Sequence, residues 1–235
     1  MTQETAVVVG VGPGLGSALV SAFSRAGCTV LAAARKPSAP EGLASKGGSG
    51  QVIPVKCDAT DPAQVEELFA RIEREHSPLR VAVFNAGTFQ RGNVVETTPE
   101  QFERCWRVGC FGGFLVGRAA ARLMIKQGAG TILFTGATAS LRGGAGFANL
   151  ASPKFALRAL AQSMARELSP KGIHVAHVII DGQIHSQRYG QLLAERGPDS
   201  LLEPSAIAEA YLALHRQHRS AWTHELDLRP WVEKF

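Results

Sequence analysis

The sequence lacks the cysteine patterns of disulfide frameworks and of metal sites. Its only cysteines are Cys28, Cys57, Cys105 and Cys110, and they form no C-x-x-C pair and stand beside no histidine cluster. Disulfide-rich and zinc-binding domains depend on such spacings. We therefore expect four reduced thiols and no bound metal ion.

Long apolar runs and charge runs are also missing. No apolar stretch approaches the roughly 20 residues that span a bilayer, and the opening sequence MTQETAVVVG has no basic leader segment. Lys and Arg never form a run longer than two, although the net charge is +5. These absences predict a cytoplasmic protein with no membrane and no nucleic-acid partner. The positive charge either suits a phosphorylated small ligand or has no functional meaning.

Short β-branched runs alternate with amphipathic stretches along the chain. This alternation predicts βαβ units and a parallel sheet covered on both faces, in one doubly wound α/β domain of the Rossmann type over residues 1–235. The predicted strands are Thr5–Val9, Thr29–Ala34, Gln51–Cys57, Val81–Phe84, Thr131–Phe134, His174–Ile180 and Thr223–Leu228. The predicted helices are Leu15–Ala26, Pro62–His76, Pro99–Gln127 with a break near Gly109, Ser152–Leu168, Gln187–Glu195 and Ser205–Gln217. Lys36–Gly50 is predicted to be a surface loop.

A glycine-rich turn joins the first predicted strand to the first helix. It reads Gly10-Val11-Gly12-Pro13-Gly14-Leu15-Gly16. Glycines let the backbone approach a pyrophosphate, and a helix N-terminus offers it unpaired N–H groups and the positive end of the helix dipole. Because a strand and a helix flank the motif, we predict that a dinucleotide binds at Gly10, Gly14, Leu15 and Gly16. The alternative is a glycine loop that serves packing alone.

The second predicted strand ends in an arginine where an acidic residue would favour NAD. Arg35 follows Ala34 directly, and no Asp or Glu stands nearby to accept bonds from the ribose hydroxyls. A guanidinium there would form a charge-assisted bond to a 2′-phosphate. The predicted cofactor is therefore NADP, with NAD as the second choice. The alternative is a solvated arginine at a strand end.

Several motifs in sequence order resemble those of the short-chain dehydrogenase/reductase family. The spacing Gly10-x-x-x-Gly14-x-Gly16 is similar to its T-G-x-x-x-G-x-G signature, with Val9 in place of the threonine. Other similar segments, from the third strand to the sixth, are Cys57-Asp58-Ala59, Phe84-Asn85-Ala86-Gly87, Leu150-x-x-x-Lys154 and Asp181-Gly182. The resemblance covers almost the whole chain, and it implies a nicotinamide-dependent oxidoreductase that forms a homodimer or homotetramer and acts on a small molecule.

The resemblance also implies further cofactor contacts. In the family, the residues corresponding to Asp58 and Ala59 meet the adenine ring, and those corresponding to Asn85, Ala86 and Gly87 lie beside the adenine ribose. The family lysine, here Lys154, holds the nicotinamide ribose. Gly182 and Ile184 match the segment whose backbone contacts the nicotinamide carboxamide.

The resemblance places other residues where the family carries its remaining catalytic side chains. The tyrosine that transfers the proton corresponds to Leu150, the serine that holds the substrate oxygen to Ala137, and the asparagine that organises a water to Gly109. Neither of the two tyrosines in the chain has a lysine four residues later, so neither is a shifted copy of the motif.

Two hypotheses about function follow. The first is an NAD(P)-dependent oxidoreductase that transfers hydride to or from a carbonyl or hydroxyl substrate at a non-standard site. Its proton donor would be Lys154 or His185, unless the substrate needs no strong acid. The second is a catalytically impaired NADP(H)-binding sensor or structural pseudoenzyme. Lys154 would then be only a ribose and fold contact, and His185 a solvated loop histidine.

Overall fold

The computed structural model of the chain describes residues 4–37, 50–186 and 189–233. Its strands are β1 Thr5–Val9, β2 Thr29–Ala34, β3 Val52–Lys56, β4 Leu79–Phe84, β5 Gly130–Thr135, β6 Ile173–Ile180 and β7 Glu225–Leu228. They form one sheet in the order β3-β2-β1-β4-β5-β6-β7, and every pair of neighbours is parallel. The strand order changes direction between β1 and β4, and in such sheets ligands bind outside the carboxyl ends of the strands at that point.

Two layers of helices cover the sheet. The helices are α1 Leu15–Arg25, α2 Pro62–Glu75, α3 Pro99–Trp106, α4 Gly112–Gln127, α5 Ala148–Leu168, α6 Gly190–Arg196 and α7 Pro204–His215. α2, α4 and α5 supply the apolar core on one face, and α1 and α7 supply the core on the other. The five inner strands, β1, β2, β4, β5 and β6, are almost wholly buried between the two layers, which explains why they are largely apolar. The edge strands β3 and β7 are only partly buried. The predicted α/β fold with seven parallel strands is confirmed, while the single domain over 1–235 stays a prediction.

Local sequence signals account for several element ends. Asp61 caps α2 by accepting hydrogen bonds from Ala63 N at 2.9 Å and Gln64 N at 3.3 Å, and Pro62 occupies the first helical position. Thr98 and Gln101 form a capping box at the start of α3. These caps fix the ends of the helices that pack behind the site.

Some predicted boundaries are wrong. α5 begins at Ala148 and not at Ser152, because Pro153 lies inside the helix and not at its start. By contrast, the irregularity predicted near Gly109 is present as a π-helical turn at Arg107–Phe111, which joins α3 and α4 into one helical stretch over Pro99–Gln127. The strand predicted from Val81 starts at Leu79, and the one predicted from Thr223 starts at Glu225. Residues 38–49 of the predicted loop, and residues 187–188 of the predicted sixth helix, lie outside the described residues.

The continuous helical stretch Pro99–Gln127 is long and apolar enough to cross a membrane by length and composition. The expectation that no stretch approaches this length is therefore wrong. However, 67% of the most apolar part of this stretch is buried inside the protein, where α4 packs on the sheet. A buried core helix passes the same test, so this feature is weak evidence for a membrane span.

Candidate cofactor groove and active site

A groove runs along the carboxyl ends of the strands and crosses the change in strand order. It consists of a β5-side cavity of about 430 Å³ and a β2-side cavity of about 590 Å³. The two cavities share four lining residues, Gly10, Gly12, Asn85 and Gly87. They are therefore parts of one continuous depression, as an extended dinucleotide requires.

The glycine turn forms the floor where the two cavities meet. Gly10 has φ +98°, and a Cβ atom there would lie 2.3 Å from Ala86 N, so the turn packs directly against the chain that follows β4. Asn85 Nδ2 donates a hydrogen bond to Gly10 O at 3.0 Å and fixes this contact. Gly14 is the N-cap residue of α1, and no side chain forms a capping hydrogen bond there. The start of α1 therefore suits an anion, because no side chain of the cap residue covers its N–H groups.

Polar groups line the β2-side cavity. Arg35 is exposed there at the end of β2. Asp58 follows β3, and its Oδ1 accepts hydrogen bonds from Thr60 N at 2.9 Å and Thr60 Oγ1 at 2.8 Å. An arginine at the rim and a fixed carboxylate inside match the needs of a phosphorylated ribose and a purine.

Lys154 lies behind the β5-side cavity. Its Nζ donates to Thr135 O at 2.6 Å, and Thr135 lines the cavity. A Cβ atom on Gly87 would lie 4.0 Å from this Nζ. Burial lowers the pKa of Lys154 to about 8. An amine that titrates near neutral pH is suited to proton transfer, because the best catalytic pKa lies near the working pH.

The positions that the resemblance equates with Tyr, Ser and Asn lie on three different segments of the chain. Leu150 lies one turn before Lys154 on α5, and Ala137 lines the β5-side cavity. Gly109 lies in the π-helical turn, where a Cβ atom would be 2.9 Å from Pro153 Cβ. None of these three side chains can donate a proton.

The neighbouring hydroxyl groups have other partners. Thr138 Oγ1 donates to Asp181 Oδ1 at 2.6 Å. Ser140 Oγ accepts from Ala137 N at 3.1 Å and is fully buried. Thr138 and Ser140 come shortly after Ala137 in the chain, and both hydroxyl groups form hydrogen bonds with other protein atoms.

His185 lies close to the groove but bonds elsewhere. Its neighbour Ile184 lines the β5-side cavity, whereas His185 Nδ1 is 2.5 Å from Glu203 Oε1. The backbone N–H of His185 donates to Leu202 O at 2.8 Å. A role for His185 as proton donor would require this pair to open, and the role stays a prediction.

The sequence profile described as short chain dehydrogenase matches residues 4–193. The chain belongs to this family. Similar proteins include MabA, a 3-oxoacyl-[acyl-carrier-protein] reductase from Mycobacterium avium. It is 31% identical over 185 residues, which cover 79% of this chain and 69% of that protein. Versicolorin reductase 1 from Aspergillus parasiticus is 30% identical over 189 residues, with 79% and 71% covered.

Solved structures of short-chain dehydrogenases have the same fold. One from Rhodopseudomonas palustris is 41% identical with a TM-score of 0.81, over 97% of this chain and 99% of that one. A metagenomic short-chain oxidoreductase in complex with NADP is 23% identical with a TM-score of 0.82, over 98% of each chain. At that identity the second structure supports the fold alone.

The cofactor contacts predicted from sequence converge on the groove of this short-chain dehydrogenase. All except Lys154 line one or both cavities: Gly10, Gly14, Leu15, Gly16, Arg35, Asp58, Ala59, Asn85, Ala86, Gly87, Gly182 and Ile184. Lys154 approaches the groove from behind, through Thr135 and Gly87. Within residues 4–37, 50–186 and 189–233, no group of three His, Cys, Asp or Glu side chains is placed to hold a metal ion.

A buried histidine of β6 also supports the site. His177 is fully buried, and its Nε2 lies 3.4 Å from Ser140 Oγ. A Cβ atom on Gly136 would lie 2.3 Å from His177 Cε1, so the imidazole packs directly under the wall at Gly136. Burial lowers the pKa of His177 to about 4, and the positive charge of Lys154 contributes. The only sequence signal for His177 is that it is one of two histidines, with His174, in a strand that is otherwise apolar.

Replacing His177 with Gln is expected to weaken the pH dependence of stability. An unfolded histidine has a pKa of about 6.5, whereas native His177 binds its proton only near pH 4. The unfolded chain therefore binds more protons in this window, and the free energy of unfolding falls as pH drops from about 6.5 to 4. His177 accounts for roughly 2–3 kcal/mol of this fall. Urea unfolding of wild type and His177→Gln, at about pH 7 and about pH 4.5, measures the difference. Parallel losses in the two proteins would contradict it.

Proposed function

We propose that this short-chain dehydrogenase binds NADP(H) in the groove and transfers hydride to or from a carbonyl or hydroxyl substrate. The observation that carries the proposal is the continuous groove, because the glycine turn, Arg35 and Asp58 line it and Lys154 lies directly behind its lining residue Thr135. The family membership and the reductases among its relatives support the reaction class.

Each part of the groove suits one part of the dinucleotide. The open space at Gly12 and Gly14, and the uncapped start of α1, would take the pyrophosphate. Arg35 would bind the 2′-phosphate, and Asp58 would lie at the adenine. When bound, the nicotinamide supplies or accepts a hydride. Gly182 and Ile184 would hold it at the β5-side cavity.

Lys154 is the residue that we assign to proton transfer. Leu150 and Ala137 carry no exchangeable proton, and the hydroxyls of Thr138 and Ser140 bond within the protein. The buried ammonium, with its pKa near 8, can give up a proton at neutral pH. It would also donate to a nicotinamide ribose bound on the cavity side of Thr135.

A second candidate is an NADP(H)-binding sensor without turnover. The absence of a proton donor at Leu150, Ala137 and Gly109 favours it, because the resemblance equates these positions with the catalytic Tyr, Ser and Asn of the family. A fold alone does not decide between catalysis and binding. The sensor predicts tight cofactor binding and no cofactor oxidation with any carbonyl compound.

Cofactor titration tests the binding part of the proposal. We expect isothermal titration calorimetry to show tighter binding of NADPH than of NADH to wild type. Arg35→Ser should weaken NADPH binding roughly 10- to 100-fold, because it removes a charge-assisted bond to phosphate, and should leave NADH within about twofold. If Arg35→Ser weakened the binding of NADPH and of NADH by the same factor, Arg35 would not bind the 2′-phosphate. Binding of neither cofactor to wild type would overturn the proposal.

We also propose a homodimer or homotetramer in the cytoplasm. Several large side chains on and beside α3, α4 and α5 are more than one-third exposed, namely Phe102, Trp106, Phe114 and Phe155. Trp106, Phe111 and Phe114 form a stacked row. An aromatic patch of this kind is typical of a surface that packs against another subunit.

A further inference from the structure

Asp181 is a buried carboxylate beside the β5-side cavity. Only 4% of the residue is exposed, at the end of β6. Its Oδ1 accepts the 2.6 Å hydrogen bond from Thr138 Oγ1, and its Oδ2 lies 3.3 Å from Arg229 NH2. Its backbone N–H donates to Leu228 O at 2.8 Å. A buried charge is tolerated when it is paired and hydrogen-bonded, and here both oxygens have a partner.

Asp181 and its bonded partner Thr138 are each next to a residue that lines the β5-side cavity. Thr138 directly follows Ala137, which lines one wall. Gly182 directly follows Asp181 and lines the same cavity after the end of β6. Arg229 follows β7 and also pairs with Asp227, so it anchors the carboxylate to the C-terminal strand. The Asp181 side chain thus connects the segment after β5, at Thr138, with the segment after β7, at Arg229.

Packing at the next residues strengthens this connection. A Cβ atom on Gly182 would lie 2.8 Å from Pro230 Cδ, so the turn after β6 rests directly on the segment after β7. Ile184 pairs with Leu202 in an isolated parallel bridge. The wall at Gly182 and Ile184 is therefore supported from outside the groove, and Asp181 is its polar link to the wall at Ala137.

We infer that Asp181 is a positioning residue that sets the width of the nicotinamide end of the groove by holding Thr138 and Arg229 together. The inference rests on the proposed binding of NADP(H) in this groove. Asp181 does not touch the reacting atoms in this arrangement. It acts through the backbone at Ala137 and Gly182, and it commits the Thr138 hydroxyl to a structural bond.

Two ligands that differ only at the nicotinamide test this role. NADPH would occupy the whole groove under the proposed function, whereas 2′-phospho-ADP-ribose lacks the nicotinamide ring. Thr138→Val removes the bond to Asp181 with little change in volume and leaves the Asp181–Arg229 pair intact. We expect it to weaken NADPH binding about 10-fold or more, because the cavity lining at Ala137 would no longer be held in place and NADPH binding would have to restore the order that this charge-assisted bond supplies in wild type. Binding of 2′-phospho-ADP-ribose should stay within about twofold of wild type.

The β2-side cavity offers a matched control. Thr60→Val removes a threonine-to-aspartate bond of 2.8 Å, to Asp58, at the other end of the groove. We expect this variant to weaken both ligands by the same factor. Asp181→Asn, which keeps an acceptor for Thr138 but loses the charge facing Arg229, should be intermediate for NADPH.

Calorimetry gives the dissociation constants of both ligands for wild type and each variant. Thermal unfolding checks that each variant is folded. Equal weakening of both ligands by Thr138→Val would overturn the inference, since a general loss of structure predicts that result. Unchanged binding of both ligands would overturn it as well. Wild type that binds both ligands while Thr138→Val shows no selectivity would leave the proposed function standing. Wild type that binds neither would overturn both.

Discussion

The double variant Leu150→Tyr, Ala137→Ser is expected to oxidise NADPH with a simple ketone at least about 10²-fold faster than wild type, because a positioned general acid contributes about 10²–10⁴-fold. Leu150 lies one turn before Lys154, so a tyrosine hydroxyl there would share the helix face of the ammonium. The nearby positive charge would lower the pKa of that tyrosine. Carbonyl-dependent NADPH oxidation, measured on both proteins with the same ketone panel, gives the ratio.

Lys154→Met supplies the control for this experiment. In the double variant it should remove most of the gained rate, because the new tyrosine would lose its charged neighbour. In wild type it should remove any basal turnover beyond its effect on cofactor binding, if Lys154 is the proton donor. Wild-type turnover above that of the double variant would show that the native site uses a different donor. No turnover in wild type, with activity in the double variant, would favour the sensor.

Gly10→Ala is expected to destabilise the protein by roughly 3 kcal/mol or more. A Cβ at this position would lie 2.3 Å from Ala86 N at φ +98°, so both a backbone clash and the strain of a positive φ oppose it. The clash is with main chain that is fixed by the Asn85 bond to Gly10 O. Chemical denaturation without cofactor measures the loss.

Gly12→Ala separates this effect from cofactor binding. Gly12 has no atom within 4 Å of its Cβ position, although it lines both cavities. We expect this variant to keep wild-type stability within about 0.5 kcal/mol, as is usual for changes that touch no packed feature, and to bind NADPH more weakly. Equal stability of Gly10→Ala and wild type would refute the assignment of Gly10 as a close-contact position.

The cofactor groove was predictable from sequence because its determinants are local. A glycine turn between a buried strand and a helix specifies the site with a few adjacent residues, and parallel strands bring their carboxyl ends to one edge of the sheet. Arg35 and Asn85 directly follow β2 and β4, and Asp58 lies two residues after β3, so placing the strands also placed these residues.

The internal partners of the site could not be read in the same way. Thr138 and Asp181 are 43 residues apart in the chain, and the bond between them depends on the pairing register of β5 and β6 and on where each strand ends. The pairing of His185 with Glu203 likewise depends on the path of the chain after β6. Pro153 misled the prediction of where α5 starts, because proline usually marks the first turn of a helix.

The contact between Pro153 and Gly109 has a consequence for how this site can change over generations. With the proline ring 2.9 Å from the Cβ position of residue 109, any larger residue there needs the ring to move first. An asparagine at 109 is thus accommodated only together with a shift or a replacement of Pro153. Positions 109 and 153 form a coupled pair, and a larger residue at 109 is expected to be tolerated better when position 153 changes as well.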